Sequence, residues 1–403
     1  MNPTPAYDLA PILHIAVLGV VLASAPLLWL WLRHRGATPA LQLRALTVLA
    51  LFFCFDLVLV GAYTRLSDSG LGCPDWPGCY GSASPFGAHA DIHAAQTAQP
   101  SGPVTQRKAW VEMLHRYLAT GVGVLILALA LASWALWQRQ RRRGEPADAA
   151  VPLWASLTLA WVSLQGAFGA WTVTWKLYPA IVTAHLLGAL VLLALLAAQA
   201  QRLPRAPLPL TPGLRRGVYA VAALLAVQLA LGGWVSTNYA VLACSDFPTC
   251  QGAWWPAMDF EHGFTVLREL GAGKDGGWLP FAALTAIHVT HRLFAAFVFA
   301  GMLLLAWGLW RLRRHGDVAA GRFALALAGL ALWQFASGLS NVVLGWPLLA
   351  ALAHTAGAAL LVVTLTLLVV RMRQAAPATF RARRMPALGD PAPAAEAAPL
   401  HHV

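Results

Sequence analysis

Four histidines lie near the ends of long apolar segments and form two pairs, His115 with His185 and His291 with His354. An ionisable side chain in hydrocarbon costs roughly 3 kcal/mol, so its presence there indicates a function. Histidine is a common axial ligand of haem iron. Two histidines on neighbouring helices can hold one haem between them, and the sequence predicts that this happens twice. The alternative is four polar residues hydrogen-bonded inside a helix bundle.

The elements that must position these histidines are membrane-spanning helices. The chain has 403 residues, of which 59% are hydrophobic and only 11% are charged, and its mean hydropathy is +0.62. Since a span needs roughly 20 apolar residues, this composition predicts an all-α polytopic membrane protein. The predicted spans are residues 10–32, 43–64, 112–137, 152–173, 180–201, 216–237, 281–310, 322–344 and 347–370.

The net charge of +12 raises the question of a nucleic-acid partner, but its distribution argues against one. Of 28 Lys and Arg residues, 20 fall in alternate loops or in the C-terminal tail. By the positive-inside rule these regions are cytoplasmic, which places the N-terminus outside and the C-terminus inside. The first apolar segment has no positive charge before it, so we expect a retained helix and not a cleaved signal peptide.

Five cysteines are present. Cys54 falls inside a span and is expected to pack in the core. The others form two close pairs in loops assigned to the outside, Cys73 with Cys79 and Cys244 with Cys250, where an oxidising compartment allows disulfides. A metal site is less favoured because the chain has no Cys-x-x-Cys.

An internal repeat organises the chain into two halves of four helices. Asp56 and Gly61 match Gln228 and Gly233 at an offset of +172, and the cysteine pairs match at +171. His115-Arg116 matches His291-Arg292 at +176, and Gln165 and His185 match Gln334 and His354 at +169. An even number of helices in each half predicts a parallel repeat of two pseudo-symmetric four-helix bundles. The expected organisation is an extra helix and basic loop (1–42), a first half (43–201), a basic Pro-rich linker (202–215), a second half (216–371) and a disordered tail (372–403).

The residues beside the histidines differ in kind. Arg116 and Arg292 each follow a ligand candidate and can pair with a haem propionate; the alternative is that they reach out to the lipid headgroups. Glu112 stands three residues before His115, whereas His288 stands three residues before His291. A carboxylate beside a haem can accept a proton or stabilise positive charge, although a glutamate at a helix start is also favoured by the helix dipole. This asymmetry suggests one catalytic site and one electron-transfer or structural site.

Two motifs carry a family resemblance. The segment TRLSDSGLGCPDWP at residues 64–77 resembles the first extracytoplasmic loop of haem A synthases, and Glu112-Met113-Leu114-His115-Arg116 resembles their Glu-x-x-His-Arg motif. The resemblance covers residues 43–370. Two features depart from it: the family plan has eight spans, and His288 competes with His291 as a ligand, although the shared His-Arg dipeptide favours His291.

The resemblance implies an oxidoreductase that converts the C8 methyl of haem O to the formyl group of haem A, with water as the oxygen source, for cytochrome oxidase assembly. It implies that His115 and His185 bind haem O, with Glu112 as the catalytic carboxylate, and that His291 and His354 bind haem b. It links Cys73 and Cys79 to activity and suggests a structural role for Cys244 and Cys250.

The implied setting is the bacterial inner membrane. The implied partners are haem O synthase, oxidase assembly factors and an electron acceptor, with homo-oligomers allowed. Two other functions use the same histidines: a di-haem b cytochrome that relays electrons from quinol, and a haem transporter or chaperone.

Overall fold

The computed structural model describes residues 10–201, 207–273, 277–314 and 316–374. Within these ranges nine helices are long and apolar enough to cross a membrane, which confirms the predicted spans. They are α1 (Ala10–His34), α2 (Pro39–Leu66), α4 (Gln106–Arg142), α5 (Ala150–Thr174), α6 (Pro179–Ala200), α7 (Pro212–Thr237), α9 (Phe281–Arg314), α10 (Val318–Val343) and α11 (Leu348–Gln374). Two shorter helices, α3 (His89–Ala98) and α8 (Phe260–Gly263), lie in the long loops before α4 and α9.

Local sequence signals explain where several helices begin. The side chains of Thr38, Thr105 and Thr211 each accept a hydrogen bond from a backbone N–H in the first turn of α2, α4 and α7. Proline occupies the first turn of α2, α6 and α7, where its missing N–H leaves no hydrogen bond unmade. Inside a bilayer the helix satisfies every other backbone group within its own segment.

The helices pack as two rings that contact each other. In the first half α2 contacts α4, α4 contacts α5, α5 contacts α6, and α6 returns to α2. In the second half α7, α9, α10 and α11 contact one another in the same cyclic order. The halves meet where α6 contacts α7 and α11 and where α2 contacts α11. On this junction the hydroxyl oxygens of Thr183 and Thr237 are 3.1 Å apart.

The extra helix α1 packs against α4 and α2 of the first half. Its crossing with α4 is tight, because a Cβ added at Gly19 would lie 2.5 Å from the Cγ2 atom of Thr120. Small residues allow such close approach between membrane helices. Helix α1 therefore covers the groove between α2 and α4.

The structure moves several predicted boundaries. Helix α4 begins six residues before the predicted span, so Glu112 lies inside the helix and not at its start. Helix α7 begins at Pro212, inside the predicted linker, and α11 continues to Gln374, past the predicted start of the tail. The linker residues 202–206 and the tail from residue 375 onward lie outside the described residues.

Candidate functional site

The first histidine pair lies across the first ring, with His115 on α4 and His185 on α6. Each imidazole lies against a glycine of a neighbouring helix. A Cβ added at Gly61 of α2 would lie 3.0 Å from the Cε1 atom of His115, and one added at Gly169 of α5 would lie 3.5 Å from the Cε1 atom of His185. A side chain at Gly61 would therefore displace the ring.

The second pair repeats this arrangement, with His291 on α9 and His354 on α11. A Cβ added at Gly232 of α7 would lie 3.1 Å from the Cε1 atom of His291, and one added at Gly338 of α10 would lie 3.2 Å from the Cε1 atom of His354.

These contacts correct the register of the repeat in α7. The equivalent of Gly61 is Gly232, at an offset of 232 − 61 = 171, and not Gly233 at +172, which packs against Thr183 and Leu186 instead.

The geometry of the first pair fits an iron ligand set. The Nδ1 atoms of His115 and His185 are buried without a hydrogen-bond partner, while both residues remain partly exposed. The Nε2 edge is therefore the open one.

The second pair is held by side chains that the first pair lacks. The Ser337 hydroxyl donates to the carbonyl of Trp333 at 2.7 Å and lies 3.0 Å from Nδ1 of His354. It therefore accepts the Nδ1 proton, which leaves Nε2 free to bind a metal. An acceptor of this kind at Nδ1 orients a ligating imidazole and raises its basicity. The side-chain nitrogen of Gln228 is a donor; it lies 3.1 Å from Nδ1 of His291 and donates to the His291 carbonyl at 3.2 Å, so it holds this ring in place without raising its basicity.

Glu112 is buried, with 4% of its surface exposed. Its Oε2 atom accepts a hydrogen bond of 2.8 Å from the backbone N–H of Cys73, and its Oε1 atom is paired with the guanidinium of Arg116. One helical turn separates this carboxylate from His115. Burial and two specific partners rule out a role limited to capping the start of a helix.

Arg116 connects this carboxylate to the first outer loop. Its Nη1 atom donates to the carbonyls of Asp75 at 2.9 Å, Pro77 at 3.1 Å and Gly78 at 2.5 Å. The side chain is 9% exposed, so it does not reach out to the headgroups. These donors are engaged within the protein. The pairing of Arg116 with a haem propionate stays a prediction.

The first loop is closed by a disulfide between Cys73 and Cys79, with an S–S distance of 2.11 Å. Inside it the Asp75 carboxylate accepts hydrogen bonds from the N–H groups of Tyr80 at 2.6 Å and Gly81 at 2.8 Å. The loop that donates to Glu112 is therefore built as one compact unit.

The second loop has the same construction, with a disulfide between Cys244 and Cys250. The Asp246 carboxylate accepts from Gly252 N–H at 3.0 Å and from the Thr249 hydroxyl at 2.5 Å. The Thr249 hydroxyl and the backbone N–H groups lower the pKa of Asp246. Arg292 donates to the Pro248 and Thr249 carbonyls at 3.1 Å each.

The structure also shows the surroundings of His288 and Cys54. His288 occupies the position of Glu112 and is buried, with its Nδ1 atom unpartnered. Cys54 is buried in the core, as predicted.

Sequence reasoning named Gly61 only as a landmark of the repeat, and it missed Gly169, Gly232, Gly338 and the hydroxyl of Ser337. The glycines carry a signal that a self-comparison of the chain detects, since they recur at +171 and +169 in step with the cysteines and histidines. Ser337 carries no such signal, because its counterpart at −169 is Phe168.

Comparison with known proteins identifies the family. The chain is 37% identical over 329 residues to a protein of Shewanella oneidensis named "Heme A synthase", a match covering 81% of this chain and 95% of that protein. A "Heme A synthase" of Methylobacterium nodulans is 32% identical over 319 residues, covering 74% of this chain and 83% of that protein. The COX15-CtaA family model, described as cytochrome oxidase assembly protein, matches residues 44–366. The chain therefore belongs to the COX15-CtaA family of cytochrome oxidase assembly proteins.

Proposed function

We propose that this oxidoreductase is a haem A synthase: it binds haem O in the first half and oxidises the C8 methyl group to a formyl group. The observation that carries this proposal is the buried carboxylate of Glu112, one turn from His115. The second half repeats the histidines, the glycines and the disulfide loop but has His288 in place of the carboxylate.

The reaction needs a base and a place for positive charge. The overall change takes a methyl group and one water to an aldehyde and releases four protons and four electrons. Removal of electrons leaves a cation-like carbon on the substrate, which water captures; a second round gives a geminal diol that loses water. A negative group fixed beside this carbon stabilises the charge as it develops and can receive the proton.

Glu112 suits both roles because its position is fixed before the reaction. The Cys73 N–H holds one carboxylate oxygen and the Arg116 guanidinium holds the other. Arg116 and the loop thus position Glu112, and the carboxylate acts on the substrate.

The second half is suited to a haem that stays bound. We propose that His291 and His354 hold haem b, which when bound supplies a one-electron acceptor. Ser337 and Gln228 orient these two imidazoles. In the first half Phe168 stands where Ser337 would be, and the Nδ1 atoms of both histidines lack partners. Ligands oriented by fixed partners suit a resident group, and less constrained ligands suit a substrate that must leave as product.

We also propose that the protein spans the bacterial inner membrane with its N-terminus outside and its C-terminus in the cytoplasm. Basic residues support this orientation, because they occupy the last turns of α1, α4, α9 and α11. The disulfide loops then face the oxidising side. The oxidation requires an external electron acceptor, and we propose haem O synthase and oxidase assembly factors as further partners.

The test is to replace Glu112 by Gln and extract the haems from the purified protein. Gln keeps the size and the hydrogen bond to Cys73 but removes the charge, so we expect full haem b, accumulated haem O and no haem A. Glu145→Gln, on an exposed loop carboxylate, is the matched control and should make haem A as the unmodified protein does. Haem A formation unchanged in Glu112→Gln contradicts the role of Glu112. Haem b alone in both halves of the unmodified protein identifies an electron-relaying cytochrome instead.

A further inference from the structure

The seam between α4 and α5 in the first half corresponds to the seam between α9 and α10 in the second, and two positions differ sharply between them. Gly123 of α4 matches Phe299 of α9 at 299 − 123 = 176, the offset of the His-Arg dipeptide. Gly166 of α5 matches Phe335 of α10 at 335 − 166 = 169, the offset of the α6 and α11 histidines. Glycine in the first half is therefore replaced by phenylalanine in the second at both positions.

In the second half these side chains close the seam. The rings of Phe299 and Phe335 contact each other edge to face, with centroids 6.0 Å apart. Phe335 also contacts Phe247 of the outer loop at 6.2 Å. The three rings run from the loop down the outer side of the α9–α10 contact.

In the first half the same path is open. A Cβ added at Gly123 or Gly166 would meet no atom within 4 Å, and Gly166 is exposed. The counterpart of Phe247 is Trp76, at an offset of 171, and its side chain is 45% exposed. A notch open to the membrane therefore replaces the row of rings.

The other seams of the first ring are covered or tightly packed. At the α5–α6 seam the Trp161 indole N–H donates to the Gly188 carbonyl at 2.8 Å, and a Cβ added at Gly188 would overlap the Gln165 side chain. Helix α1 covers the groove between α2 and α4, and the junction of α2 with α6 adjoins α11 of the second half. Helix α5 contacts only α4 and α6 among the described helices. The notch lies on this lipid-facing side.

The notch lies within about two helical turns of the first histidine pair. Gly166 stands one helical turn before Gly169, against which the imidazole of His185 lies. Gly123 stands about two turns along α4 from His115, toward the bilayer interior. Two glycines alone do not make a site; their proximity to an open pair of iron ligands indicates what the notch receives.

We propose that the α4–α5 notch, defined by Gly123 and Gly166, is the lateral passage for the substrate and holds the long isoprenoid chain of its haem. This inference rests on the proposed function. The histidines fix the porphyrin ring inside the helix ring, so an apolar chain attached to the porphyrin must leave between two helices. Haem b has no such chain, and the seam beside the second pair can be closed by Phe299 and Phe335.

The effect of the notch is steric. Lipid tails are as apolar as the isoprenoid chain, so burying the chain in the protein gains little hydrophobic free energy. If the notch is filled, the isoprenoid chain has no path between the helices while the histidines bind the porphyrin. The double variant Gly123→Phe/Gly166→Phe copies the second half and should therefore discriminate between haems with and without the chain.

The test is a spectral titration of the purified protein. The second site is first filled with haem b, and the protein is then titrated with haem O or with protohaem, which is the same compound as haem b and lacks the isoprenoid chain. For the double variant we expect the affinity for haem O to fall by ~10-fold or more, equivalent to ~1.4 kcal/mol, with the affinity for protohaem unchanged. Gly166→Leu should give a smaller loss of the same kind. Leu131→Phe/Leu164→Phe, which adds bulk at exposed positions of α4 and α5, is the matched control and should affect neither haem.

An equal change for haem O and protohaem in the double variant, or no change for either, overturns the proposal. His185→Ala separates this failure from failure of the proposed function. If His185→Ala leaves haem O binding intact, the first half is not the substrate site. If it abolishes binding while the phenylalanine variants do not discriminate, only the assignment of the notch is wrong.

Discussion

Replacing Gly61 by Ala tests whether the contact between α2 and His115 positions the proposed haem O ligand. The added Cβ would lie 3.0 Å from Cε1, 3.5 Å from Nε2 and 3.6 Å from Nδ1 of His115. Carbon atoms in contact prefer about 3.5 to 4.0 Å. The imidazole must therefore move by about half an ångström or leave its preferred rotamer.

The magnitude follows from two opposing effects. An off-rotamer side chain costs about 0.5–1.5 kcal/mol, which corresponds to a ~2- to 10-fold weaker affinity for a ligand that needs the original ring position. The same substitution stabilises the helix by up to about 1 kcal/mol, because Ala has a higher helix propensity than Gly. The expected result is weaker haem binding at the first site in a protein of equal or higher thermal stability.

The equivalent glycines supply a graded series in one protein. Gly169→Ala places its Cβ at 3.5 Å from the Cε1 atom of His185, an ordinary contact, and should leave the first site nearly unchanged. Gly232→Ala at 3.1 Å should weaken the second site and leave the first intact. Haem titration and thermal unfolding on each variant measure the two effects separately. Equal losses for Gly61→Ala and Gly169→Ala, or a loss that only accompanies unfolding, would refute the reasoning.

Two further predictions concern the second half. Ser337→Ala removes the acceptor at Nδ1 of His354; we expect ~10-fold weaker retention of haem b and a higher midpoint potential, because a less basic imidazole stabilises the ferric state less. Redox titration checks this, and an unchanged potential contradicts it. Asp246→Asn tests the loop: the folded-state pKa of Asp246 is lowered by its hydrogen bonds, so its contribution to stability is present above the unfolded pKa of about 3.9 and is lost as the pH falls through the lower folded value. The variant should be less stable than the unmodified protein at pH 7 and equally stable in strong acid, as followed by thermal melting; an equal deficit at both pH values contradicts the assignment.

The sequence predicted the spans, the repeat and the histidine pairs because each has a strong local signal. Membrane helices have long apolar runs, and His115-Arg116 recurs as the same dipeptide at 291–292. Boundaries were less accurate, since the start of α4 at Gln106 depends on the capping side chain of Thr105, outside the apolar run.

The partners of the site residues could not be predicted, because they depend on contacts between distant segments. The Cys73 N–H meets Glu112 across 39 positions of sequence. Arg116 reaches the carbonyls at positions 75–78 for the same reason, and its assignment to a propionate followed from the residue type alone. The register error at Gly233 arose because a shift of one residue along α7 leaves the apolar pattern intact while changing which glycine meets His291.

Three kinds of difference between the two halves act in the same direction. The histidines and the glycines that contact their imidazoles are the same in both halves. The differences lie around them: a carboxylate against an imidazole at Glu112 and His288, an apolar ring against a hydroxyl at Phe168 and Ser337, and an open seam against the ring of Phe335. A site that must accept, oxidise and release an apolar haem needs the reactive group and the opening, and is hindered by a tight hold on its ligands. A site that keeps its haem has the opposite needs, so one duplicated scaffold can serve both without moving the histidines.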